Sequence, residues 1–298
     1  MRWKAVLALG FLAACATATT APAEDQAPAR SLGEILEQSP ASDWRDIAPE
    51  NTLYMQLPGG RVIIELAPEY APQHAANIRA LARAHYWDGA AIVRSQDNYV
   101  VQWGRDEGDN TSLGEAVASL MGEFDRPRRG VDITRLQDPD SYAREVGFAG
   151  GFPVAGQGGR TWLAHCYGMV GAGRGDTPDS GSGAELYVVI GHAPRHLDRN
   201  VTLVGRVLQG MEVLSVMPRG TGPLGFYETP AERITIRSVR LGSDLPEAER
   251  VQLEALRTDS ATFREVIDSR RTRRESWFLQ PTGRINLCNV PLPVRVRG

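Results

Sequence analysis

Asp88-Gly89-Ala90-Ala91-Ile92-Val93-Arg94-Ser95-Gln96-Asp97-Asn98-Tyr99-Val100-Val101-Gln102-Trp103-Gly104 is the stretch on which the fold turns. Two apolar runs flank a polar turn, and each run carries one strong hydrogen-bonding side chain, Arg94 in the first and Gln102 in the second. The pattern predicts a β-hairpin that presents both polar groups beside an apolar pocket.

Outward from this hairpin the chain keeps the same character. Upstream, two β-rich runs, 52–57 and 61–66, surround the turn Pro58-Gly59-Gly60 and predict a second hairpin. Pro72 then opens a helical pattern over 74–84, with Ala75, Ile78, Leu81 and Ala82 on one face. Downstream, 105–160 is rich in Gly, Asp and Arg with weak periodicity, and reads as a long irregular insertion. Strands are expected at 162–170, 184–190, 202–208 and 234–241, with a short helix at 211–216. Many short strands with only two helices predict a mainly β fold, a closed barrel. Residues 246–274 read as a helix whose stripe of Leu253, Leu256, Phe263 and Ile267 should pack on the outside of that barrel, and 277–296 as an irregular tail.

The ends and the composition bound the setting. Met1-Arg2-Trp3-Lys4, an apolar run over 5–11, and Leu12-Ala13-Ala14-Cys15 describe an export signal too short to span a bilayer. The last four residues resemble the bacterial lipobox, whose cysteine is lipidated; an ordinary signal cut near Ala21-Pro22-Ala23 is the alternative. Lys4 is the sole lysine of the 298 residues, so a mature chain forms no lysine Schiff base and has no phosphate-loop lysine. Loss of Arg2 and Lys4 takes the formal charge from −3 to −5, which argues against nucleic acid as a partner. Beyond Cys15 only Cys166 and Cys288 remain: an oxidising compartment permits a disulfide, and their apolar neighbours equally suit two buried thiols. His192 and His196 have Pro194 between them, so no helix aligns them on a metal. Gly171-Ala172-Gly173-Arg174-Gly175 lacks the helix of a nucleotide loop and reads as a flexible loop.

Three blocks in order carry a family likeness: Ala71-Pro72-Gln73-His74-Ala75-Ala76-Asn77-Ile78-Arg79-Ala80-Leu81, the Arg94 hairpin, and Gly183-Ala184-Glu185-Leu186-Tyr187-Val188-Val189 with the segment from His196 to Val207. Over about 51–243 the chain resembles the cyclophilins, the peptidyl-prolyl cis-trans isomerases. The resemblance implies a closed eight-stranded antiparallel barrel capped by two helices; around it the chain itself reads as tether and short helix at 16–50, an insertion at about 105–160, and an extension at 244–298. It implies Arg94 as the catalytic arginine and Gln102 as the glutamine that binds substrate backbone. Tyr99, Val100, Tyr187 and Leu197 match the proline pocket, while Gly171, Glu185 and His196 fall on further substrate-binding positions. No cofactor or metal is implied. The expected partners are proline-containing polypeptides, met by a monomer that touches a membrane only through a lipid on Cys15. The expected location is the periplasm, with a soluble periplasmic or secreted protein as the alternative.

The chain also departs from the family. Ile92-Val93 replaces Phe-His before the arginine, Glu185-Leu186-Tyr187 replaces Gln-Phe-Phe, His196 replaces a rim tryptophan, Val201 a histidine and Gly171 an asparagine. Two functions are therefore weighed: an envelope isomerase that helps exported proteins fold, and a module of low or no activity that binds proline-containing segments.

Overall fold

The computed structural model describes residues 30–297, so Cys15 and the rest of the leader lie outside the described residues. The 52–66 hairpin forms as its alternation requires. Leu53 pairs with Ile64 and Met55 with Val62, and all four are buried against the helix Pro72–Arg83. One face of that helix, Ala75, Ile78 and Leu81, is wholly inside. Its first turn has Pro72 at a position where no N–H is needed, and Ala71 offers no capping side chain. Glu123 supplies the cap instead: its carboxylate accepts from the Gln73 and His74 amides at 3.0 and 2.9 Å.

These elements belong to one antiparallel sheet of nine strands. Their order is Ile234–Thr235, Ala91–Ser95, Val100–Gly104, Leu186–Val189, Met169–Ala172, Leu203–Gln209, Gly60–Leu66, Thr52–Leu57 and Ser238–Leu241. The expected closed eight-stranded barrel is corrected by this order: the sheet is curled but open. The reason lies in the expected strand 234–241. At Ile236 and Arg237 the chain turns its amides to the Ala90 and Gln56 carbonyls, and one run becomes two short strands on opposite edges. The mainly β class stands, and the four α-helices among the described residues fall where helices were expected: Pro72–Arg83 and Met211–Ser215 with the main sheet, Leu32–Glu37 before it and Ala261–Thr272 after it.

The insertion is irregular only in its first part. Residues 126–163 build a five-stranded sheet in the order Arg126–Pro127, Arg160–Leu163, Phe152–Gln157, Glu145–Ala149 and Thr134–Leu136. The expected strand 162–170 is accordingly split between the two sheets. Gly147, Pro153 and Gly156 interrupt the apolar alternation of these short strands, which hides them from a reading by periodicity.

The C-terminal reading is corrected in the same way. Leu253–Leu256 is a strand, held between Trp44–Asp46 and Val294–Val296, and only Ala261–Thr272 is helical. Ser260 caps this helix by accepting from the Phe263 amide at 3.0 Å. Phe263 and Ile267 bury their side chains with Phe148, Val154 and Trp162 of the inserted sheet and with Ile35, and Phe263 meets the edge of Phe148 at 5.0 Å. Leu256, Phe263 and Ile267 thus pack with the inserted sheet, while Leu253 packs with Tyr54 and Ile63 of the main one.

Cys166 and Cys288 form a disulfide across 122 residues, with a Cα–Cα distance of 5.0 Å. It ties the tail to the segment that enters the strand Met169–Ala172. Replacing both cysteines by serine is expected to cost about 2–4 kcal/mol, because the open chain regains loop entropy on unfolding. Urea titration of the pair variant against wild type reads this, and equal midpoints would contradict it.

Candidate active site

The hairpin register sets the site. Arg94 pairs with Gln102, Gln102 with Tyr187, and Tyr187 with Gly171, so four expected residues form one row across four adjacent strands. Directly opposed residues share a sheet face. A bulge between Ile92 and Arg94 absorbs Val93, which lets Ile92 stay in the core while Arg94 joins the row on the outer face. The tight turn between the strands puts Asn98 in the left-handed region, at φ 52°, a conformation that asparagine tolerates better than most residues.

Arg94 is clamped. Its Nε donates to the Leu224 carbonyl at 2.7 Å, Nη1 donates to Gln102 Oε1 at 3.0 Å, and Nη2 to Gln96 Oε1. The Tyr99 and Phe226 rings lie 5.5 and 5.1 Å from the guanidinium carbon. Burial pulls its pKa below the ordinary value, yet a guanidinium keeps its proton in proteins. Three of the five N–H groups are used, and each Nη retains one. Gln102 in turn donates from Nε2 to Glu185. Because arginine only donates and an ionised carboxylate only accepts, the Gln102 amide has a single orientation between them.

The floor is held from below. Tyr187 is 7% exposed, and its hydroxyl lies 2.9 Å from His165 Nε2. His165 Nδ1 and backbone amide both meet Asp198 Oδ1, at 2.9 and 3.0 Å, and Arg195 donates from Nε to Asp198 Oδ2 at 2.6 Å and from Nη1 to Asp140 at 3.0 Å. Burial lowers the His165 pKa and raises that of Tyr187. Burial also opposes the charge on Asp198, but the His165 hydrogen bonds and the Arg195 charge outweigh it, and its pKa lies below the usual value. The pair is therefore a neutral imidazole and a carboxylate, with the imidazole proton on Nδ1 and the tyrosine donating to Nε2.

Arg94, Tyr99, Val100, Gln102, Tyr187 and Leu197 share one cleft of about 270 Å³, completed by Gly173, Arg174 and Val201. Three expected residues are off its wall. Gly171 lies behind the Tyr187 ring, where a Cβ would sit 2.3 Å from Tyr187 Cζ, so glycine makes room for the floor. Glu185 is exposed at the edge beside Gly104 and Gly173 and holds Gln102. His196 is exposed with its ring parallel to that of Tyr99, at a centroid distance of 6.4 Å. The sequence reading missed Leu224 and Phe226, which hold Arg94, and Arg174, read as part of a loop. Asp198 was also missed; Arg195-His196-Leu197-Asp198 offers acid and base at a three-residue spacing, but nothing in it points to His165.

Residues 52–241 match the family model described as cyclophilin type peptidyl-prolyl cis-trans isomerase/CLD. A protein of Brucella suis named "Probable peptidyl-prolyl cis-trans isomerase" is 26% identical over 194 residues, 65% of this chain and 81% of its own. The "Peptidyl-prolyl cis-trans isomerase-like 1" of Homo sapiens is 27% identical over 203 residues, 68% of this chain and 93% of its own. Among solved structures, a cyclophilin from Hirschia baltica is similar in fold with a TM-score of 0.69 and 24% identity, covering 90% of this chain and 99% of its own. That coverage exceeds the span 52–241, so the likeness of fold includes part of the flanking segments.

Proposed function

The chain belongs to the cyclophilin family of peptidyl-prolyl cis-trans isomerases, and from this premise we propose that it isomerises X-Pro bonds of exported polypeptides in the bacterial cell envelope. The clamped Arg94 at the edge of an apolar cleft is the observation that carries the reading. Rotation about an X-Pro bond meets a barrier of about 18–20 kcal/mol because the prolyl nitrogen shares its lone pair with the carbonyl. In the twisted state the lone pair returns to nitrogen, and a donor aimed at it stabilises that state more than the planar ones. Arg94 keeps two N–H groups for this purpose, and its partners fix the guanidinium before substrate arrives. Tyr99, Val100, Tyr187 and Leu197 hold the proline ring while the preceding carbonyl swings, and the second N–H of Gln102 binds substrate backbone. A protease-free assay over a panel of X-Pro peptides tests the reading. Turnover above the thermal rate supports it, and binding without turnover favours the module that only holds proline-containing segments. Glu185 is the observation on that second side, since it engages an amide that substrate would otherwise use.

The envelope part rests on the leader Leu12-Ala13-Ala14-Cys15 and on the disulfide, which suits an oxidising compartment. Exchange of Cys15 for serine is expected to move the protein from the membrane fraction to the soluble one. Wild type that is already soluble and begins near Glu24 would refute lipid anchoring and leave a soluble periplasmic or secreted protein. A monomer is expected at either location.

A further inference from the structure

Among the residues that line the cleft are two arginines, Arg94 and Arg174, and no carboxylate. Neither arginine makes an ion pair among the described residues; the two N–H groups that Arg94 retains are assigned to the prolyl nitrogen, whereas Arg174 is exposed and has no role in that step. Arg174 is nonetheless held in place. Its Nε donates to the Asn200 carbonyl at 2.8 Å, Nη1 donates to the Gly175 carbonyl at 2.6 Å, and the Phe124 ring lies 5.9 Å from its guanidinium carbon. Both N–H groups of Nη2 meet no acceptor among the described residues. Asp176, two residues on, gives it only a backbone carbonyl, at 3.3 Å. Glu185, whose carboxyl lies at the edge against Gly173, accepts from Gln102.

We propose that Arg174 makes this cleft select proline-containing segments with a carboxylate side chain, aspartate or glutamate, flanking the proline. The proposal rests on the reading of the cleft as the X-Pro site and adds its substrate class. A pre-positioned guanidinium with two vacant donors matches a carboxylate, and it loses little conformational freedom on pairing because main-chain bonds already hold it. A lysine or arginine beside the proline would meet like charge at the same place. Partial exposure keeps the effect modest and makes it sensitive to salt.

The test compares kcat/KM, normalised to the uncatalysed rate, for X-Pro-Y peptides bearing Glu, Ala or Lys at X or at Y. Dissociation constants for the same peptides are measured in parallel. In low salt the wild type is expected to favour the better-placed Glu peptide over its Lys counterpart by up to about fivefold, the upper range for an exposed ion pair. The ratio should fall to about one in R174Q, invert in R174E, persist in R174K, and shrink in about 0.5 M salt. A wild-type ratio of one, or a ratio unchanged in R174Q, overturns the proposal. If wild type turns over none of the peptides, the isomerase reading fails, while the dissociation constants still decide whether Arg174 selects acidic segments.

Discussion

Arg94→Ala is expected to lower kcat/KM for X-Pro peptides about a hundred- to a thousandfold, the loss seen when one transition-state donor is removed from a preorganised site. Tyr99, Val100, Tyr187 and Leu197 of the ring pocket all remain in the variant, so affinity for a proline peptide should fall far less than turnover. That split separates a donor in the twisted state from a residue that only binds. Arg94→Lys is a stricter probe. It keeps the charge but offers no planar fork to span the Leu224 carbonyl, Gln102 and Gln96, and it should recover only a small part of the rate. Circular dichroism and unfolding midpoints near wild type would show that the fold survives. A well-folded Arg94→Ala protein with wild-type turnover would remove Arg94 from the mechanism.

The site was legible where neighbours in space are neighbours along a hairpin. Strand alternation with period two brings Arg94 to Gln102 across eight residues, and the apolar residues beside them announce the pocket. Contacts between distant segments were not legible. His165 and Asp198 stand 33 residues apart with nothing in either segment to name the other, and Leu224 reaches Arg94 across 130 residues. Periodicity also misled where it was short. Leu253 and Leu256 continue a helical stripe to Phe263 and Ile267, but the edges of Trp44–Asp46 and Val294–Val296 draw them into a sheet. Pairing with distant edges overrode a local pattern whose first two members, Leu253 and Leu256, span less than one helical turn. The disulfide was open on sequence because two cysteines in apolar runs suit burial with or without a bond, and only their proximity in the fold decides.

Asp198→Asn is expected to destabilise the protein by about 3–5 kcal/mol, the cost of breaking a buried ion pair from one side. The Asp198 side chain is 6% exposed and Arg195 4%, and the carboxylate accepts from the His165 amide, His165 Nδ1, Arg195 Nε and, at 3.3 Å, Trp162 Nε1. All four partners are donors, so an asparagine NH₂ must turn one N–H toward another while Arg195 keeps only Asp140. The pH dependence follows from the same geometry. Both His165 and Asp198 have pKa values lowered by the fold, so the unfolded chain binds more protons and stability falls as pH falls. The His165 contribution is complete above its unfolded value of about 6.5 and is lost as pH drops toward its folded value; that of Asp198 follows below about 4. Urea midpoints from pH 8 to 3 should therefore show wild type weakening below about pH 6.5. The gap to Asp198→Asn should narrow only in the most acid samples, where wild-type Asp198 is itself protonated. Because this network ends on the Tyr187 hydroxyl, the variant should also raise KM for proline peptides as the pocket floor loosens. A loss below about 1 kcal/mol at pH 7 would mean that Asp198 is not the anchor of the pocket floor.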